Sequence, residues 1–235
     1  MRSRKKYPVA MLLGIPLFLY LDSPYFQNHF EYAQTLATIL VIIAFYRSYS
    51  HSSKRVQFVM ITGVFVGFAG EILFSLVFGM YHYRFGNIPL WVGFGHSLIY
   101  SSVYQLIRYR FVLEHQRLVK IFLISFVVLY TLFWFYKDND LFGLLATIGF
   151  LILLVIAKKS QIFFLVMFLV VAYIEQVGTT TLTWYWPTTL MSYFENIPSG
   201  NPPSGIAIFY FLFDYIVLHI YMLTHKSVTK RWKNV

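Results

Sequence analysis

Residues 162–186 read IFFLVMFLVVAYIEQVGTTTLTWYW. From Ile162 to Trp184 the run is apolar apart from one carboxylate, Glu175, one amide and a few hydroxyls. A helix rising about 1.5 Å per residue needs roughly 20 such residues to cross a hydrocarbon core of about 30 Å. The run is therefore long enough to span a membrane. It ends in Trp184-Tyr185-Trp186, the kind of aromatic cluster that settles at a membrane–water interface.

The rest of the chain agrees. Of 235 residues, 58% are hydrophobic and 21% aromatic, while only 12% are charged, about half the usual soluble share. Nine acids face nineteen Lys and Arg. So few charges cannot cover the surface of a soluble domain, and the same numbers exclude disorder. Cysteine is absent, which removes disulfides, thiolate metal sites and cysteine nucleophiles. The net charge of +10 would suggest nucleic acid in a soluble protein. Basic residues sorted into alternate loops explain it more simply, so no nucleic-acid partner is expected.

Apolar runs of roughly 17–25 residues predict eight spans, at 7–21, 33–49, 56–79, 88–107, 119–136, 141–157, 162–184 and 203–224. The fold class is an all-α polytopic transmembrane bundle forming one integral membrane domain over 1–235. The first run is short and follows Arg2, Arg4, Lys5 and Lys6. Leu21-Asp22-Ser23-Pro24-Tyr25 contains no small-x-small cleavage pattern, so it reads as a retained span rather than a signal peptide. One set of loops and termini holds seventeen basic residues; the other holds only Arg84 and Lys137. That bias places both termini in the cytoplasm, with a bacterial inner membrane as the expected location.

The chain also matches itself. Glu71 precedes Tyr81-His82-Tyr83, and Glu175 precedes Trp184-Tyr185-Trp186; Ile88-Pro89 follows the first cluster and Ile197-Pro198 the second. The offset of about 104 residues predicts a parallel repeat of four plus four spans, with halves of approximately 1–110 and 111–235. The second copy has a longer outer loop, 187–202, rich in proline and glycine. Pro203 is expected as the first residue of the eighth span, with Asn201 or Ser199 as a cap.

Six of the nine acids fall in loops, and Glu71, Glu175 and Asp214 fall inside spans. A carboxylate in hydrocarbon costs about 2.5–3.5 kcal/mol on insertion scales, so each needs a partner or a wet cavity. Counted from the outer span ends, Glu71 and His96 lie roughly 12 Å deep, Glu175 roughly 13 Å and Asp214 roughly 16 Å. Four ionisable groups at similar depth predict one outward-opening acid–base pocket, with Ser75, Tyr100, Thr179 and Tyr210 each one turn from one of them. Buried polar groups that only hold helices together are the plainer reading. The carboxylates and one imidazole are compatible with a hard divalent ion, but histidines at helical spacing are missing; no metal and no cofactor are expected. No serine-hydrolase elbow, phosphate loop, dinucleotide fingerprint or His-Glu-x-x-His occurs.

Residues 71–100, EILFSLVFGMYHYRFGNIPLWVGFGHSLIY, carry a membrane Glu, a Gly eight residues on, a Tyr-x-Tyr and an Ile-Pro-Leu. This stretch resembles the carotenoid-hydratase family of polytopic proteins (bisanhydrobacterioruberin hydratase type). The resemblance covers about thirty residues. It implies addition of water across an isoprenoid double bond, with Glu71, Tyr81 and Tyr83 in the site. The leading expectation is a membrane hydratase or hydrolase acting on an apolar lipid or isoprenoid. Glu71 and Glu175 would be acid and base, with Asp214 setting their charge and His96 as relay. Tyr81, Tyr83, Tyr100, Trp184, Trp186 and Tyr210 would contact the substrate. A proton-coupled transporter and a non-catalytic assembly protein are the alternatives.

Overall fold

The computed structural model describes residues 7–191 and 193–224. The chain is mostly helical, in the order α1 (Tyr7–Leu13), α2 (Ile15–Leu21), α3 (Pro24–Gln27), α4 (Ala33–Ser50), α5 (Lys54–Glu71), α6 (Trp91–Leu106), α7 (Arg110–Glu114), α8 (Gln116–Asp138), α9 (Leu141–Ile156), α10 (Gln161–Thr180) and α11 (Ala207–Thr224). A π-helical turn, Ile72–Val77, prolongs α5, and a 3-10 turn, Lys158–Ser160, precedes α10. Among the described residues, four helices are long and apolar enough to cross a membrane: Lys54–Val77, Gln116–Asp138, Gln161–Thr180 and Ala207–Thr224. Pro8–Leu21 and Leu141–Ile156 are shorter apolar helices. The protein is therefore a membrane protein built from helices.

Its outward surface is apolar. Leu118, Phe122, Leu129 and Phe133 of α8 are exposed side chains, an arrangement suited to lipid. In that setting, close packing rather than water exclusion holds helices together. Helix α10 is the most buried of the four long helices and packs on α8, α11 and α6. At its contact with α11, the rings of Phe164 and Phe211 stack with centroids 3.7 Å apart. Helix α5 packs on α6 and α11, and α4 packs on α6. Small residues permit the closest approach: a Cβ on Gly67 would lie 3.4 Å from the Gly93 Cα atom of α6.

Two pairs of short antiparallel strands depart from the all-helical expectation. Strand β1 (His82–Tyr83) pairs with β2 (Trp184–Tyr185), aligning His82 with Tyr185 and Tyr83 with Trp184. The amide of Arg84 adds a hydrogen bond to the Thr183 carbonyl at 3.1 Å. Within the long loop between α10 and α11, β3 (Thr189–Leu190) pairs with β4 (Phe194–Pro198).

Two expected boundaries move. Trp184 belongs to β2, because α10 stops at Thr180 and the chain turns through Leu182 at φ 58°. Pro203 does not open the last helix, which starts at Ala207. Asn201 is not its cap either: its side-chain oxygen accepts the Trp186 amide at 2.9 Å. The physical reason is Asp140, which collects the amides of Gly200 and Ser204 and holds this segment in a non-helical path.

Candidate functional site

Glu71 is the last residue of α5 and is buried. The π-helical turn after it ends at Val77, and Gly79, at φ 59°, reverses the chain. Left-handed backbone of this kind favours glycine. The reversal brings Tyr81 and Tyr83 back over Glu71. Ser75 fixes the path by donating to the Tyr81 carbonyl at 3.0 Å, so it serves the loop rather than the carboxylate. Both phenols donate to Oε2 of Glu71, Tyr81 at 2.6 Å and Tyr83 at 2.9 Å. Nε2 of His96, from α6, lies 2.7 Å from Oε1. Both oxygens of Glu71 are thus occupied.

Glu175 is buried on α10 and has a different shell. The indole N–H groups of Trp184 and Trp186 both donate to Oε2, at 2.9 and 3.0 Å. Among the described residues nothing donates to its Oε1. Gly178 makes this possible: a Cβ there would sit 2.0 Å from the Trp184 ring, so any larger residue would push the indole off its carboxylate. Thr179 donates to the main-chain carbonyl of Glu175 at 2.9 Å and not to its side chain.

The two shells interlock. Tyr81 packs on Trp186 with ring centroids 4.7 Å apart, and Tyr83 meets Trp184 at 6.0 Å. Burial, followed by the neighbouring Glu71 charge, pushes both phenols well above their ordinary range, so they stay protonated donors. Glu71, Glu175, His96, Tyr81, Tyr83, Trp184, Trp186 and Tyr210 line one cavity of about 290 Å³ whose remaining wall is predominantly apolar. The side chain of Tyr210 packs over His96, with centroids 4.8 Å apart.

Asp214 and Tyr100 are not part of that wall. They border a separate space of about 20 Å³ together with Ser97, Gly63 and Gly67. His96, Tyr210 and Phe213 stand between the two spaces and line both. Asp214 is buried, and its Oδ2 has no hydrogen-bond partner among the described residues. No described group of three or more His, Asp or Glu side chains is placed to hold a metal ion.

Two further acids matter that counting loop charges does not single out. Asp22 and Asp140 are both fully buried. Asp22, just past the C-terminal end of α2, accepts from Arg84 at 2.9 Å and from the Trp91 indole at 2.7 Å. Gln27 also receives a hydrogen bond from Arg84. Asp140, at the start of α9, accepts amides from Gly143, Gly200 and Ser204 at 2.7–2.9 Å. Each ties one end of an apolar helix to the segment leading into α6 or α11. Ser23-Pro24 after the first acid, and the apolar helix opening at Leu141 after the second, are the capping signals that point to them.

No protein-family model matches the chain, nor does any curated protein sequence or any solved structure.

Proposed function

We propose that the protein is an eight-span membrane enzyme that protonates a carbon–carbon double bond of an isoprenoid or lipid chain and adds water to it. The observation that carries this reading is the pair of buried carboxyls facing one apolar cavity, only one of which has an oxygen unbonded among the described residues. Protonated Glu175 gives its proton from Oε1 to one alkene carbon, forming a C–H bond and leaving a cation on the next carbon. The faces of Tyr81, Trp184 and Trp186 stabilise that cation. A water oxygen then bonds to the cation. Its surplus proton passes to the Glu71–His96 pair and returns to Glu175 through solvent. The sum is alkene plus water to alcohol. Hydrolysis of a vinyl ether begins with the same carbon protonation. The reaction class also agrees with the local resemblance of residues 71–100.

The parallel repeat of four plus four spans, with both termini cytoplasmic, belongs to the same proposal. It is supported by the alignment of Tyr83 with Trp184 across β1–β2 and by the matching carboxylate shells. Asp22 and Asp140 support it too, each bracing the return segment of its own half.

The test compares lipid and pigment extracts, by mass spectrometry, from cells with and without the gene and with Glu71→Gln or Glu175→Gln. A species heavier by one water that depends on both carboxylates is expected. Identical extracts from all four cell lines would overturn the assignment.

A further inference from the structure

The cavity is larger than the carboxylate cluster. It runs beside α6 from Trp91 to Ser102, and the opposite wall is made by α1–α2 and α4. Eleven residues of helix correspond to a length of about 16 Å. Among its lining residues, Leu17 of α2 is 66% exposed and Leu40 of α4 is 42% exposed. Helix α2 packs on α4, whereas α1 and α4 do not form a close pair, so the lining reaches the outer surface of the bundle beside the α2–α4 contact. Leu17 lies about one helical turn from the end of α2 at Leu21, and Leu40 about two turns from the start of α4 at Ala33, so the opening is somewhat shallower than Glu71. Exposed leucines at such an opening suit bilayer hydrocarbon rather than water.

The size of the cavity points the same way. About 290 Å³ sits at the lower limit of pockets that bury a whole small ligand, roughly 300–1,000 Å³. A long chain fits only in part, and the remainder must leave through the side. The first span is interrupted there: α1 ends at Leu13, α2 begins at Ile15, and Pro16 removes a helix N–H. The two carboxyls disfavour an anionic headgroup at the inner end, so the inserted portion is a neutral chain.

We infer that the gap between the interrupted first span and α4 is a lateral portal for a neutral, unsaturated hydrocarbon chain. One double bond reaches Glu71 and Glu175 while the remaining chain stays in the bilayer. This deepens the hydration reading and rests on it for the reacting end alone; the binding does not require the chemistry.

The probe is a linear isoprenoid hydrocarbon carrying a diazirine, in phosphatidylcholine vesicles containing the full-length protein. After photolysis, labelled peptides are mapped by mass spectrometry. Peptides containing Leu17 and Leu40 should be labelled several-fold above the lipid-facing α8 peptide around Leu129, and equally so in the Glu71→Gln/Glu175→Gln double variant. Ala44→Trp, inside the portal, should reduce that excess to the α8 level. Leu40→Trp, at the exposed mouth, should do the same without crowding the core. Even labelling of all lipid-facing helices overturns the portal, as does unchanged labelling in Leu40→Trp. Strong portal labelling with no hydrated product in cells would retain the portal and reject the hydratase.

Discussion

Tyr83 and Trp184 are cross-strand partners, and each donates its polar hydrogen to a different carboxylate: Tyr83 to Glu71, and Trp184 to Glu175. A two-residue strand pair therefore fixes the relation between two intramembrane acids on separate helices. Backbone pairing sets the spacing, ring packing fills the space between, and the polar tips orient the carboxyls. The arrangement uses neutral donors at nearly every contact, which leaves the proton inventory to Glu71, Glu175 and His96.

If the phenols hold Glu71 in place, removing one leaves a buried oxygen short of a donor. Tyr81→Phe and Tyr83→Phe should each destabilise the protein by about 1–3 kcal/mol. The double variant should depart from the sum, because both donors share Oε2. Thermal unfolding in detergent or nanodiscs checks this; unchanged unfolding in both single variants would show that neither bond matters.

The same phenols set a pH dependence. Their folded-state values are raised above the ordinary value of 10.0. Their contribution is therefore complete below about pH 10 and is lost as pH rises from there through the folded-state values, because the folded protein then holds more protons than the unfolded chain. Stability of the wild type should fall more steeply in that window than stability of the Tyr81→Phe/Tyr83→Phe variant. Parallel curves would contradict it.

Asp22 and Arg84 form a buried ion pair at 2.9 Å. Breaking such a pair from one side costs about 3–5 kcal/mol, since the other charge stays buried. Asp22→Ala should approach that cost, whereas Asp22→Ala combined with Arg84→Met should recover part of it. A double variant no better than the single would assign the loss to Trp91, the second donor to Asp22.

Asp214 offers the opposite sign. Its Oδ2 is buried without a donor among the described residues, a burden of about 1–3 kcal/mol. Asp214→Leu should unfold at an equal or higher temperature than the wild type. A clear drop would mean that the carboxyl has a partner, such as a water in the space it shares with Ser97 and Tyr100.

How much of this was legible in the sequence differs residue by residue. Glu71 and Glu175 stand out because a carboxylate in an apolar run is costly, and their aromatic partners stand out by spacing. The pairing of Tyr83 with Trp184 was not legible, since spacing along one hairpin says nothing about register against another. Depth follows from counting residues, but rotation about the helix axis does not. Asp214 was therefore expected in the carboxylate pocket and lies beyond His96 instead. Asp22 and Asp140 read as ordinary outer charges, because loop residues carry no depth in a sequence. Their burial comes from return segments that fold down upon them.

The asymmetry between the two acids yields the sharpest expectation for chemistry. Glu71 has both oxygens engaged, while Glu175 lines the cavity and, among the described residues, receives donors on Oε2 alone. Replacing Glu175 with Gln removes the proton that the proposed first step transfers, so turnover should fall about 10²–10⁴-fold with little change in KM. Glu71→Gln disturbs the phenol and His96 contacts as well, so it should lower stability and turnover together. Trp186→Phe separates position from chemistry: it keeps the ring but leaves Glu175 with one donor. It should cost less in turnover than Glu175→Gln, and its residual activity should change with pH differently from the wild type. Equal losses in Glu175→Gln and Trp186→Phe, with matching pH profiles, would identify Glu175 as a structural anchor and remove it from the proton path.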